Sequence, residues 1–213
     1  MKKLGIIVLF GIFLSIGLFL SIPKVKAIER EHSTTSEANK DTYVWSSEGD
    51  TNFDEESPLL FGEFHQTWHE IYVHFNLNDK PENWSKAELN FMVDWLILSQ
   101  EVNVSLILIQ DPWNEALLTW NNRPSHSEII KTFLVRENSQ YIVDITKYIT
   151  GEGISLCINA SDNNQKGLGA ISKIPQIKWT YKELAWINVT EPINSTKELM
   201  GGEQLDIEWT SVG

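Results

Sequence analysis

Ile71-Tyr72-Val73-His74-Phe75-Asn76-Leu77 alternates in the way that decides the fold. Successive side chains of a strand point to opposite faces. Period two therefore places Ile71, Val73, Phe75 and Leu77 on one face and Tyr72, His74 and Asn76 on the other, the pattern of a half-buried strand. Outward from it, Leu89 to Leu98, Val102 to Gln110, Phe133 to Val135, Tyr141 to Val143 and Ile154 to Ile158 are further apolar or alternating runs rich in β-branched and aromatic residues. Turn-forming groups separate most of them, such as Ser47-Glu-Gly-Asp50, Asn78-Asp-Lys-Pro81, Gly151-Glu-Gly153 and Asp162-Asn-Asn-Gln165. Within this body only a turn or two near Ile145 to Ile149 reads as helical. Many short strands with almost no helical period predict an all-β sandwich.

The ends read differently. Met1-Lys2-Lys3 precedes an apolar stretch from Leu4 to Ile22, followed by Pro23 and Lys24-Val-Lys-Ala27. That order fits an export signal with a cut after Ala27. The stretch is also close to the roughly 20 apolar residues that span a bilayer, so residues 1–27 read as a signal peptide or a membrane anchor helix. Either reading places the rest of the chain outside the cell, secreted or tethered at its surface, and the membrane is a partner only through residues 4–22 if they are retained. Residues 28–40 are polar without periodicity and read as a flexible spacer.

The formal net charge is −12, and −16 without the four lysines of residues 1–27. Such a body lacks the cations that dominate affinity for phosphate backbones, which argues against nucleic acid as a partner. Cys157 is the single cysteine, so no intrachain disulfide and no multi-cysteine metal site exists. Asn-x-Ser/Thr triplets begin at Asn83, Asn103, Asn159, Asn188 and Asn194 and mark surface only where the host glycosylates.

A spaced pattern runs through residues 41–182. It opens with Asp41-Thr-Tyr-Val44, Leu60-Phe-Gly62 and Trp84-Ser-Lys-Ala-Glu-Leu89. It continues through Asp111-Pro-Trp-Asn-Glu115, Leu118-Thr-Trp-Asn-Asn-Arg-Pro124 and Tyr141-Ile-Val-Asp-Ile-Thr-Lys-Tyr-Ile149, and ends with Ile171-Ser-Lys-Ile-Pro-Gln-Ile-Lys-Trp-Thr-Tyr181. It resembles the DNRLRE-type domain, also grouped as carbohydrate-binding module family 96. The most specific piece is Trp113-x-Glu115-x-x-x-Thr119-Trp120-x-Asn122-x-Pro124. The resemblance implies a jelly-roll β-sandwich, a non-catalytic accessory module of extracellular proteins, and a polysaccharide or cell-surface glycan as partner, alginate for some members. Residues 183–213 carry a second, shorter resemblance. Trp186-Ile-Asn-Val-Thr-Glu-Pro192 and Gly201 to Gly213 look like the opening strands of an Ig-like domain of the Ser/Thr-rich GPI-anchored cell-wall family (yeast cell-wall glucan synthesis). About 100 residues close an Ig-type sandwich, so this is a partial segment.

Several chemistry-bearing residues also suit packing roles. Asp111 and Glu115 form a carboxylate pair of the kind glycoside hydrolysis needs about 5 to 10 Å apart. Trp113 and Trp120 read better as loop-anchoring indoles and Glu115 as a hydrogen-bonding brace, with Thr119 and Pro124 part of the same motif, so no catalytic residue is assigned. His65, His69 and His74 lie near Glu70, but their spacing does not match the one-turn separation of zinc-binding helices, and no metal ligand is assigned. Asp50 to Glu56 offers oxygen ligands to calcium without a regular ligand loop, so a structural calcium is disfavoured and no cofactor is expected. Sugars are recognised by flat aromatic faces with a few polar groups. Trp45, Trp68, Tyr72 and His74 are the candidates for that role, and Trp95, Trp179 and Trp209 for packing. Between Asp41 and Asp79 there are nine acids and no Lys or Arg, which disfavours a polyuronate ligand and favours a neutral or calcium-bridged glycan. Two rivals stand beside the glycan-binding module. One is a structural or adhesive surface protein that uses the sandwich as a spacer, the other a fragment of a polysaccharide-degrading enzyme.

Overall fold

The computed structural model describes residues 28–160 and 167–185. Among them the chain is all-β, with short 3₁₀ turns. β1 (Ile28–Glu37), β5 (Trp84–Val93), β9 (Ser139–Asp144) and β12 (Gln176–Ala185) form a four-stranded sheet in the order β1-β12-β5-β9. The larger sheet has eight strands. β6 (Trp95–Ile97), β11 (Gly167–Ile171), β3 (Leu59–Phe64), β4 (Thr67–Asn76), β10 (Gly153–Ala160), β7 (Glu101–Ile109) and β8 (Glu128–Arg136) follow in that order, and β2 (Lys40–Trp45) also pairs with β4.

The principal core lies between the sheets. Ile71, Val73 and Phe75 of β4, Leu156 and Ile158 of β10 and Val104 and Leu106 of β7 share one cluster with Leu89, Phe91 and Val93 of β5 and Ile177 and Trp179 of β12. Each is at most 4% exposed. Burying a side chain of this size contributes about 1.5 to 3 kcal/mol, so this cluster is the main driving force of the sandwich. Of the turn or two expected near Ile145 to Ile149, one 3₁₀ segment forms, Thr146–Tyr148.

Three expectations are corrected. Residues 28–37 of the expected spacer form β1, paired with β12. Polar contacts rather than apolar burial hold it: Trp179 Nε1 donates to Ser36 Oγ at 2.9 Å, Lys182 Nζ donates to Glu29 Oε2 at 2.8 Å, and His32 stacks on Tyr181. A search for hydrophobic period cannot detect such a strand. The run Leu89 to Leu98 is two strands in different sheets. The chain crosses over at Asp94, whose N–H donates to the Ala170 carbonyl at 2.9 Å while its Oδ2 accepts the Ser172 N–H. The third correction concerns the outward face of β4. Tyr72 is fully buried, because a second, smaller core covers that side of the large sheet. Val44, Tyr72, Ile107, Ile109 and Cys157 pack there beneath Leu118, Trp113 and Trp120.

The apolar helix expected over residues 4–22 lies outside the described residues, as does the Ig-like segment expected over 183–213 except for 183–185, which close β12. No helix among the described residues is long and apolar enough to cross a membrane.

Candidate functional site

Ladder pairing sets the rows of the outer face of the large sheet. Lys40 stands opposite His74, and His74 opposite Ser155; one step along, Thr42 stands opposite Tyr72, and Tyr72 opposite Cys157. The segment between β7 and β8, residues 110–127, lies over these rows and brings Trp113, Leu118 and Trp120 onto them.

Side chains from distant parts of the sequence pin this segment. Asn52 Nδ2 donates to the carbonyls of Glu115 at 2.7 Å and Leu118 at 2.8 Å. Glu115 Oε1 accepts the Asp41 N–H at 2.6 Å, and Asp50 Oδ1 accepts Asn121 Nδ2 at 2.8 Å. Within the segment, Asn122 Oδ1 accepts the Thr119 N–H at 2.7 Å. The Arg123 guanidinium stacks 3.7 Å from the Trp120 ring centroid and donates to the Trp120 carbonyl, while Pro124 is buried. A ring held at both its face and its carbonyl is a rigid support, and this one fixes the second half of the segment.

The pinned segment encloses an open depression of about 400 Å³, lined among others by Asp111, Trp113, Asn114, Asn122, Arg123 and Ser125. Trp113 is half-buried and packs edge-on against Tyr72, with ring centroids 6.1 Å apart. Its Nε1 donates to Ser155 Oγ at 3.2 Å, and that same oxygen lies 2.8 Å from His74 Nδ1. Lys40 Nζ sits 5.7 Å from the Trp113 ring centroid. Burial, then the Lys40 charge, pushes His74 below its ordinary value, which keeps the imidazole neutral. Asp111 Oδ2 accepts the Ser125 hydroxyl at 2.6 Å.

Beside the depression lies a second polar cluster. Glu70 is 7% exposed. Its Oε2 is 3.1 Å from Arg123 Nε and 3.4 Å from His126 Nε2, and it accepts the Tyr72 hydroxyl at 2.9 Å; its Oε1 is 3.4 Å from Asn159 Nδ2. Burial alone would raise the Glu70 carboxyl, but His126, Arg123 and Tyr72 together outweigh it and hold it below its ordinary value. Burial pushes the Tyr72 hydroxyl and the Cys157 thiol upward. Glu70 is therefore an ionised carboxylate paired with the Arg123 cation.

The candidates read from the sequence are dispersed. Trp45 stands opposite His69 in the β2/β4 ladder and stacks on it at 5.1 Å, with its Nε1 donating to Thr67 Oγ1. Trp68 is the next residue of β4 before His69, so the pleat separates the two indoles. Both are half-buried against the principal core, and neither lines the depression. Tyr72 lies underneath it. Tyr72 touches the Trp113 ring edge-on from below, and His74 reaches it through Ser155. His69 is buried at 3% exposure with Nδ1 unpartnered, and burial lowers it to about 4, whereas His65 is exposed at the β3/β4 turn. Asp50 braces the loop through Asn121. Sequence reasoning missed Lys40, Asn52, Ser155 and His126. Their partners are 31 to 81 residues away in the chain, and no local spacing signals such pairings.

A family model described as carbohydrate-binding module family 96 matches residues 32–174. No curated protein matches the chain. Among solved structures, a family two carbohydrate esterase from Cellvibrio japonicus is similar over 75% of this chain and 37% of that one, at 10% identity and a TM-score of 0.31. The chain thus spans little more than a third of that structure's length.

Proposed function

Since the chain belongs to carbohydrate-binding module family 96, we propose that it is an extracellular, non-catalytic glycan-binding module of jelly-roll type whose sugar contact is the depression at Trp113. The observation that carries this reading is an indole held in place by its own N–H and by Tyr72, at the wall of an open, polar-lined hollow. A pre-oriented aromatic face loses little freedom on meeting a sugar ring. Asp111, Asn114, Asn122 and Ser125 supply the polar groups that would fix its orientation.

Local charge supports a neutral glycan. The Arg123 cation is paired with Glu70 and stacked on Trp120, while Asp111 lines the hollow. Recognition of a polyuronate needs cations free to pair with carboxylates, and among the described residues Lys40 is the one cation over the Trp113 ring. The carboxylates also support a non-catalytic role. Glu115 is engaged by the Asp41 N–H and is not among the residues lining the hollow, while Asp111 is engaged by Ser125.

The test is a glycan array with neutral and uronate polymers, with and without calcium. Binding to neutral polymers that Trp113→Leu weakens is expected. Binding to uronates alone, or to nothing, overturns the reading.

The structural or adhesive reading has one observation in its favour. Ile129 and Leu134 on β8 and Ile142 on β9 are exposed, and these strands end the two sheet orders. Exposed apolar edges promote association. Self-association at micromolar protein in sedimentation experiments would support that role.

A further inference from the structure

We propose that Glu70, His126 and Cys157 form a zinc site at the foot of the loop segment. Three separate pieces of chain supply the donors: Glu70 from β4, Cys157 from β10 and His126 from the segment before β8. Their ligand atoms all lie within 4.8 Å of one another, and no other group of three such donors occurs among the described residues. His126 Nε2 is 3.4 Å from Glu70 Oε2 and 3.7 Å from Cys157 Sγ. Zinc bonds of about 2.0 to 2.3 Å to oxygen, nitrogen and sulfur place neighbouring ligand atoms of a tetrahedron about 3.3 to 3.6 Å apart. Two of the three edges are thus nearly set, and the remaining one closes by a side-chain adjustment of about 1 Å.

The donor set selects the metal class. One thiolate, one imidazole and one carboxylate suit a borderline-soft divalent ion such as zinc and do not suit calcium or magnesium, which take oxygen ligands. Access and support are both present. The His126 side chain is 32% exposed, which leaves a path from solvent and room for water in the fourth position. Tyr72 donates to Glu70 at 2.9 Å, an outer-shell contact of the kind that orients metal ligands, and its 3.3 Å contact with His126 Nε2 gives way when that nitrogen takes the metal. On binding, Cys157 releases its thiol proton to solvent, so the dication meets one thiolate and one carboxylate and its charge is balanced. Arg123 competes for Glu70 at 3.1 Å. Its stacking on Trp120 gives it a second partner when the metal takes the carboxylate.

Calorimetry with zinc chloride on the full chain, stripped of metal by a chelator, tests this directly. One equivalent should bind, with cobalt giving thiolate-to-metal absorption at the same stoichiometry. His126→Ala, at the surface, and Cys157→Ala, within the sheet, should each weaken binding by about 100-fold or more, and Arg123→Gln should strengthen it by about tenfold. Near-ultraviolet dichroism of the metal-free variants checks that each is folded, and His126→Ala still decides the matter if Cys157→Ala is not. No zinc binding by the parent chain, binding without the cobalt–thiolate band, or binding that His126→Ala leaves unchanged overturns the site.

Discussion

The Glu115 carboxylate accepts the backbone N–H of Asp41 at 2.6 Å across 74 residues of sequence. This contact ties the loop segment to the start of β2. A hydrogen bond to a charged group contributes about 1.5 to 3 kcal/mol. Glu115→Ala should therefore lower stability by roughly that amount, read as a lower urea midpoint at unchanged slope, while Glu115→Gln keeps an acceptor and loses less. A Glu115→Ala variant as stable as the parent would show that the brace carries no energy.

Burial, then the neighbouring Glu115 charge, raises the Asp41 carboxyl above 3.8. The folded state therefore holds this proton to higher pH than the unfolded chain does. Between the unfolded and the raised folded value the native protein binds more protons, so stability contributed here falls as pH rises through that window and stays lowered above it. Asp41→Asn should stabilise the protein at pH 7 by about 0.5 to 1 kcal/mol, discounted for partial exposure. Urea midpoints of parent and variant should converge as pH falls below the ordinary carboxylate value, and a gain that persists there would mean the effect is not electrostatic.

The β4 segment shows how far sequence alone reached. Period two located the strand and correctly put Ile71, Val73, Phe75 and Leu77 in the core. It failed for Tyr72 because alternation reports which residues share a face, not whether something covers the opposite one. The cover is the 110–127 segment, whose arrival depends on Asn52, Asp50 and Asp41, all in the first third of the chain. Trp113 was legible as a motif residue, but its placement on the His74 and Ser155 row follows from ladder pairings between strands about 80 residues apart. Strand β1 was illegible for the complementary reason, since its contacts with β12 are polar and leave no hydrophobic signature.

Gly62 adopts φ of +106°, and a Cβ added there would meet the Gly167 carbonyl oxygen at 2.1 Å. Both the backbone conformation and the approach of β11 to β3 require glycine at this position. Gly62→Ala should cost about 3 kcal/mol or more, combining left-handed strain with a displaced neighbouring strand. The measurement is the thermal midpoint, with Gly151→Ala, which meets nothing closer than 4.0 Å, as the neutral control. Equal midpoints for the two variants would refute the close approach.

Trp113 and the pair Trp45 and Trp68 separate the glycan contact derived from the structure from the one read off the sequence. Trp45 and Trp68 pack on the principal core, so replacing either with Ala should destabilise the fold by about 3 kcal/mol while leaving glycan affinity of the folded fraction unchanged. Trp113 lines the hollow but also covers Tyr72, so Trp113→Ala alone would mix lost packing with lost binding. Trp113→Leu keeps apolar cover and removes the flat face, and Ser155→Ala removes the hydrogen bond that fixes the indole while leaving the ring. Aromatic contacts are worth about 0.5 to 1.5 kcal/mol beyond area burial, so Trp113→Leu should weaken glycan binding by roughly tenfold. Ser155→Ala should weaken it less, through a looser ring. Affinity electrophoresis in polysaccharide gels, calibrated against a non-binding protein, measures all four variants, and retarded migration lost in Trp45→Ala or Trp68→Ala but kept in Trp113→Leu would move the site to the other surface.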